Sequence, residues 1–306
     1  MSDPTPTPLE PAPAGLAPPG IELFLKREDV HELGAFKWRG ALPTLERFQA
    51  DGADAVVTAS TGNHGAATAW AAARLGLRAV VYAPEGATRA KLERIEALGA
   101  ELRTTGADLD EAKDEARRTA EAEGLPFFED GAEREQYDGY RAIGREVLEG
   151  LGLKPGAVIV PVGNGALLGG IGLELRGSCP DLQLVGVAAA EAPVMAESWA
   201  AGYPVESDRS ATFADGLAVR VAISLAVRVV GEVASRFVTV SERAIAEAVG
   251  AYDRAGIRVE GAAGAGLAGV RELGPVDGPV VLIVTGRNID DELHTRAVER
   301  PESFAG

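Results

Sequence analysis

The feature that most constrains this chain is an alternation of short apolar runs with longer amphipathic or alanine-rich segments, starting near Ile21 and continuing to residue 285. AVVTA (55–59), RAVVYA (78–83), AVIVP (157–161), LQLVGVA (182–188), FVTV (237–240) and PVVLIVT (279–285) read as strands. The alanine-rich stretch after Asn63, KLERIEALG ending at Gly99, residues 108–123 and 139–150, the segment after Gly165 and SERAIAEAVGAYDRAG read as helices. Strands that alternate with helices predict mostly parallel sheets covered on both faces, an α/β chain. No internal repeat is present. At 306 residues, 46% of them hydrophobic, the chain can bury one large core or two smaller ones. Residues 1–20, rich in Pro and Thr, read as an extended and mobile arm.

Charge and composition exclude several functions. The formal net charge is −16, whereas a nucleic-acid binder needs a basic patch to neutralise phosphates. The single Cys179 cannot close an internal disulfide, and no Cys/His cluster has the spacing of a metal site. The N-terminus lacks the basic and apolar regions of a signal peptide, and no run nears the roughly 20 apolar residues of a membrane span. A cytoplasmic protein is expected.

In open α/β sheets ligands bind beyond the carboxyl ends of the strands. Four such ends carry small or polar residues here: Ser60–His64, Gly163–Leu167, Ala214–Gly216 and Thr285–Asn288. Lys37 precedes them, between Phe36 and Trp38. An apolar surround disfavours an ammonium, which suits a lysine that must be neutral to form a Schiff base. A lysine lying along the surface on aromatic stems is the alternative. Gly163, Asn164, Gly165, Ala166 and Leu167 open a helix and could cradle a phosphate on backbone N–H groups. A dinucleotide-binding turn or a plain tight turn would read similarly, although the mid-chain position disfavours the dinucleotide. Ser60, Thr61, Gly62, Asn63 and His64 could grip a carboxylate or merely cap a helix. Thr285 could face a ring nitrogen or only form a turn. Glu260 could be a helix-terminal carboxylate without chemistry.

In their order, LFLKRED (23–29), GAFKWRGA (34–41), ASTGNHGAA (59–67), PVGNGALLGGIG (161–172), TFADGLAV (212–219), VEGAAGAG (259–266) and TGRNID (285–290) resemble the tryptophan-synthase-β-like superfamily of pyridoxal-5′-phosphate (PLP) enzymes, fold type II. The nearest likeness is to threonine/serine dehydratases. The resemblance implies two three-layer α/β/α domains with mostly parallel sheets. One is a large cofactor domain made of residues 1–40 and 135–306. The other is an inserted small domain, residues 41–134, carrying the substrate-carboxylate loop, with the cofactor between the two. It implies Lys37 as the Schiff-base and catalytic lysine, with Phe36 beside the cofactor ring and Asn63 bonded to the ring oxygen. Gly163–Leu167 become the phosphate loop, Gly216 a backbone contact near the ring, and Thr285 the hydroxyl facing the pyridine nitrogen. Ser60, Thr61, Asn63 and His64 become the substrate grip. The implied reaction is α,β-elimination from L-threonine or L-serine to a 2-oxo acid and ammonia, by a homodimer without nucleic-acid or membrane partners.

Departures from the family pattern keep other chemistries open. Ala35 replaces the usual serine and is similar to diaminopropionate ammonia-lyases, whereas GYRAIGREV (139–147) is similar to threonine synthases. Thr61 stands where serine racemases place a second-face acid–base residue, so a serine or aspartate racemase is the rival. Arg287 replaces a common glycine, which predicts a cation near the cofactor or substrate. Ala188 and Val194 occupy the positions of a metal-binding Glu and Asp, so no metal is expected. The chain's end at 306 leaves no room for an appended regulatory domain.

Overall fold

The computed structural model describes residues 6–207 and 210–306. Along the chain run β1 (Leu9–Pro11), β2 (Leu23–Arg27), α1 (Trp38–Ala50), β3 (Ala55–Ala59), α2 (Asn63–Leu75), β4 (Arg78–Ala83), α3 (Arg89–Ala97), β5 (Glu101–Thr104) and α4 (Leu109–Glu123). They continue with α5 (Arg134–Leu151), β6 (Ala157–Pro161), α6 (Ala166–Ser178), β7 (Gln183–Ala189), α7 (Val194–Ala201), α8 (Ser224–Val233), β8 (Arg236–Val240), α9 (Glu242–Arg254), α10 (Gly261–Arg271), β9 (Val280–Val284) and α11 (Asp291–Glu299). The chain is α/β, and it divides into two compact units. Residues up to Phe36 join Tyr140–Gly306 in one, and Lys37–Gly139 form the other. The junctions thus fall at 36/37 and 139/140, where the family likeness suggests 40/41 and 134/135.

In the smaller unit, β3, β4 and β5 form a parallel sheet in that order. Asp108 caps α4 by accepting the Glu111 N–H at 3.0 Å. Ala112, Ala116 and Ala120 then recur every four residues, giving a highly charged helix one narrow buried stripe. That stripe packs on Val57, Val80 and Tyr82 of the sheet.

The larger unit holds a six-stranded sheet in the order β1-β2-β9-β6-β7-β8. All its pairings are parallel except β1 with β2. That exception corrects the expected mobile arm: Leu9–Pro11 are a sheet edge, held further by Thr7. The Lys26 ammonium, fully buried, donates to the carbonyl and hydroxyl of Thr7 and to Glu146. Residues 1–5 lie outside the described residues.

Helix α10 is built of Gly and Ala and packs against α9 and the sheet. Glycine costs a helix about 1 kcal/mol relative to alanine, so close approach has to offset it. A Cβ at Gly269 would sit 2.4 Å from Val187 Cγ2, and one at Gly264 would sit 2.7 Å from Val249 Cγ2. Gly269→Ala should therefore destabilise the protein by about 1–3 kcal/mol despite the better helix former. Urea unfolding monitored by circular dichroism measures this, and an unchanged midpoint would contradict the packing account.

Candidate active site

In the smaller unit the residues after Phe36 turn directly into α1, and the Lys37 side chain extends to the loop that follows Phe128. Its ammonium donates to Asp130 Oδ2. The other carboxylate oxygen accepts from Gln136 Nε2 at 3.0 Å and lies 3.6 Å from His64 Nδ1. Gln136 is held in turn by the Gly131 N–H, 2.7 Å from its Oε1. On the far side of the imidazole, Nε2 lies 3.0 Å from Thr58 Oγ1 and 3.2 Å from the Phe128 carbonyl. Burial alone would raise the Asp130 carboxyl, but the charges of Lys37 and His64 and the hydrogen bonds from Lys37 and Gln136 take it well below the usual carboxylate range. Burial lowers the His64 imidazole; Asp130 opposes the shift and Lys37 reinforces it.

The strand end before α2 is polar. Ser60 Oγ accepts the Gly62 N–H at 3.1 Å, and the N-cap residue, Gly62, has no side chain to cap the helix. The positive end of α2 is thereby open to a small anion.

In the larger unit, β6 runs into the Gly163–Leu167 turn and α6. Gly165 has φ +90°, a conformation that side chains rarely adopt. A Cβ at Gly163 would lie 2.3 Å from the Gly216 carbonyl, so the two backbones touch only because the residue is glycine. The Asn164 side chain accepts the Ala166 N–H at 3.1 Å, which tightens the turn. At the end of β9, Thr285 donates its hydroxyl to Glu260 Oε1 at 2.8 Å, with both residues buried. The Thr285 carbonyl accepts the Phe36 N–H at 3.1 Å, and Ala35 bridges Gly286. The Phe36 ring packs edge-on against Tyr140, centroids 5.2 Å apart.

A family model described as pyridoxal-phosphate dependent enzyme matches residues 2–286. The chain belongs to the pyridoxal-phosphate-dependent enzyme family. It is 33% identical over 291 residues to an L-threonine ammonia-lyase of Geobacter sulfurreducens, covering 94% of this chain and 72% of that one. It is 31% identical over 284 residues to an L-threonine ammonia-lyase of Thermotoga maritima, covering 92% and 71%. The structure of the processed form of threonine deaminase isoform 2 from Solanum lycopersicum superposes with a TM-score of 0.90 at 27% identity, covering 98% of this chain and 89% of that one. As a member of the PLP-dependent family the chain is an enzyme, and pyridoxal phosphate is its cofactor. No helix among the described residues is long and apolar enough to cross a membrane.

The residues of the larger unit fit that cofactor. A turn whose Gly163 and Gly165 have no room for side chains opens α6, and its main-chain N–H groups other than that of Ala166, which Asn164 holds, are offered to an anion. Thr285 offers a buried oxygen whose hydrogen points to Glu260. Of the expected residues, Gly163–Leu167, Gly216, Thr285 and Phe36 lie in this unit, and the structure brings Gly163 to Gly216 and Phe36 to Thr285. Lys37, Ser60, Thr61, Asn63 and His64 lie in the smaller unit, where Lys37 and His64 meet through Asp130.

One expectation needs correction: the His64 ring does not simply extend the carboxylate loop, because its nitrogens face Thr58, Phe128 and Asp130 in the interior. The Arg287 guanidinium, expected as a cation near the cofactor or substrate, donates to the Asp29 carbonyl and so ties backbone. Asp130 and Glu260 are the acidic residues that sequence reasoning missed or set aside. Ala188 and Val194 are buried in the apolar interior, and no group of three metal-ligating side chains occurs among the described residues.

Because burial lowers the His64 imidazole in the folded chain, the unfolded chain binds the proton more readily near the ordinary value of about 6.5, and the contribution of His64 to stability falls as the pH drops through that value. His64→Gln should lose less stability than the native chain between about pH 7.5 and 5.5. Urea midpoints at the two pH values decide it, and equal losses would refute the assignment of a neutral buried ring.

Proposed function

We propose that this enzyme is an ammonia-lyase that converts L-threonine or L-serine to a 2-oxo acid and ammonia, the water lost in the elimination being returned when the product enamine is hydrolysed, with Lys37 as its catalytic base and point of cofactor attachment. The observation that carries this reading is the backbone pairing of Ala35 and Phe36 with Gly286 and Thr285. It fixes the segment that leads into the lysine at the strand end where Thr285 and Glu260 stand, and Lys37 is the next residue along the chain. The L-threonine ammonia-lyase names of relatives spanning most of the chain support threonine as a substrate.

In this reading the main-chain N–H groups of Gly163–Leu167 hold the cofactor phosphate. Gly216 supplies a close backbone wall, and Phe36 flanks the ring. Thr285, oriented by Glu260, contacts the ring nitrogen. When bound, pyridoxal phosphate supplies a sink for the electron pair left as the α-proton departs. Ser60, Thr61 and Asn63 bind the substrate carboxylate at the open end of α2, which orients the Cα–H bond. Lys37 Nζ accepts the α-proton, and Asp130 stabilises the ammonium so formed. The β-hydroxyl takes up a proton and leaves as water, and hydrolysis of the released enamine gives the 2-oxo acid and ammonia. A cytoplasmic homodimer belongs to the same proposal and is supported by the family resemblance.

The purified protein should absorb in the visible region, and borohydride should bleach it and fix the label on Lys37. Ammonia release from a panel of small amino acids should be greatest with threonine or serine and should fall by about 10⁴-fold in Lys37→Ala. Appreciable turnover by that variant, or a D-amino acid as the sole product, would overturn the reading. Separately, Gly163→Ala must displace the Gly216 carbonyl and should weaken cofactor retention at least about tenfold, or about 1.4 kcal/mol. Equilibrium dialysis against free pyridoxal phosphate measures that loss.

A further inference from the structure

The His64 ring is surrounded by acceptors. Thr58 Oγ1 donates its hydrogen to the Phe128 carbonyl at 2.7 Å, so both groups facing Nε2 can only accept from it. Nε2 therefore carries a hydrogen whatever the charge of the ring. Nδ1 faces the Asp130 carboxylate at 3.6 Å. A neutral ring turns a lone pair toward that carboxylate, whereas an imidazolium would turn an N–H toward it. The surroundings of both nitrogens are those of a cation. Two things oppose the cation: burial of the ring, and the Lys37 ammonium already seated on the other oxygen of Asp130. One carboxylate thus lies between two nitrogens that can each hold the same charge.

We propose that His64 is the alternative holder of the Lys37 proton, so that the ring is an imidazolium whenever Lys37 is a neutral amine and neutral whenever Lys37 is an ammonium. The exchange breaks one N–H bond at Lys37 Nζ and makes one at His64 Nδ1. The net charge of the cluster does not change, and Asp130 faces one cation in either state. This rests on the reading of Lys37 as the catalytic base and deepens it. A carboxylate beside a lysine holds it as an ammonium, which opposes the neutral amine that must accept an α-proton. A second seat for the proton keeps one cation facing the half-buried Asp130 carboxylate whichever of the two groups is charged. From the other elements packed around the ring, the charge that acts on it is Lys113, which is paired with Glu129 at 2.5 Å. Gln136 gives Asp130 only a neutral hydrogen bond.

The chain has three histidines, so ring carbon resonances can be followed across pH in the full-length protein, and loss of a signal in His64→Gln assigns His64. Removing the lysine charge in Lys37→Met should raise the His64 midpoint by at least about one pH unit. Removing the carboxylate charge in Asp130→Asn should lower it. Lys37→Gln serves as a second neutral variant should the methionine protein fold poorly, and thermal melts identify the folded samples. The same His64 midpoint in the native chain and in a folded Lys37 variant would overturn the proposal, as would a rise in Asp130→Asn. Borohydride labelling reports on the base separately. A labelled Lys37 with an unmoved His64 defeats only the shared proton, whereas an unlabelled Lys37 defeats the lysine's assigned role.

Discussion

The geometry depends first on a short web of main-chain bonds between residues 33–36 and 285–288. The Phe36 N–H donates to the Thr285 carbonyl and the Arg287 N–H to the Gly34 carbonyl, and the Asn288 side-chain amide reinforces these main-chain bonds by donating to the carbonyls of Leu33 and Gly34. Backbone groups have fixed positions and no rotamers, so such a web places the approach to Lys37 more firmly than side-chain packing would. Glycine is needed on both sides. A Cβ at Gly34 would lie 2.7 Å from the Asn288 side chain, and one at Gly286 would lie 2.6 Å from Glu260. The Glu260 N–H donates to the Gly286 carbonyl while its carboxylate takes the Thr285 hydrogen, so one residue supports the strand end twice.

How much of this is legible in the sequence depends on whether the cause is local. AVVTA, RAVVYA and AVIVP are buried along almost their whole length, and their β-branched, apolar runs end where β3, β4 and β6 end. The strand β2 is hidden by Lys26 and Arg27, which ordinarily mark surface. Its burial depends on Thr7 and on Glu146, which is 120 residues away, and no local pattern announces that. Helix α5 begins at Arg134, ahead of the expected 139, because its first turn is charged and gives no periodic apolar signal.

The site divides in the same way. Glycine turns can be read because their steric need is written in the residues themselves, although the partner of Gly163, the Gly216 carbonyl 2.3 Å from where its Cβ would stand, emerges only in the fold. Carboxylates give no such contrast in a chain with 46 acidic residues. Asp130 meets Lys37 from 93 residues away and Glu260 meets Thr285 from 25, so each acquires its partner only through the fold. His64 could be singled out by its place after a strand end, but which way its ring turns is decided by Thr58 and the Phe128 carbonyl.

Two lysines of this acidic chain are drawn into its interior, and the difference between them separates structure from chemistry. Lys26 is fully buried, with its three hydrogens met by the Thr7 carbonyl, the Thr7 hydroxyl and Glu146, and with Glu28 3.9 Å away. Deprotonating it would strand buried acceptors and a carboxylate, so its cage is built for a cation alone. Lys37 is paired with a carboxylate that is 26% exposed and that faces a titratable ring through its other oxygen. Loss of its proton leaves Asp130 with another group able to take up the charge. A lysine that must alternate between cation and amine needs an environment that tolerates both, and the Asp130–His64 arrangement differs from the Thr7–Glu146 cage in that respect.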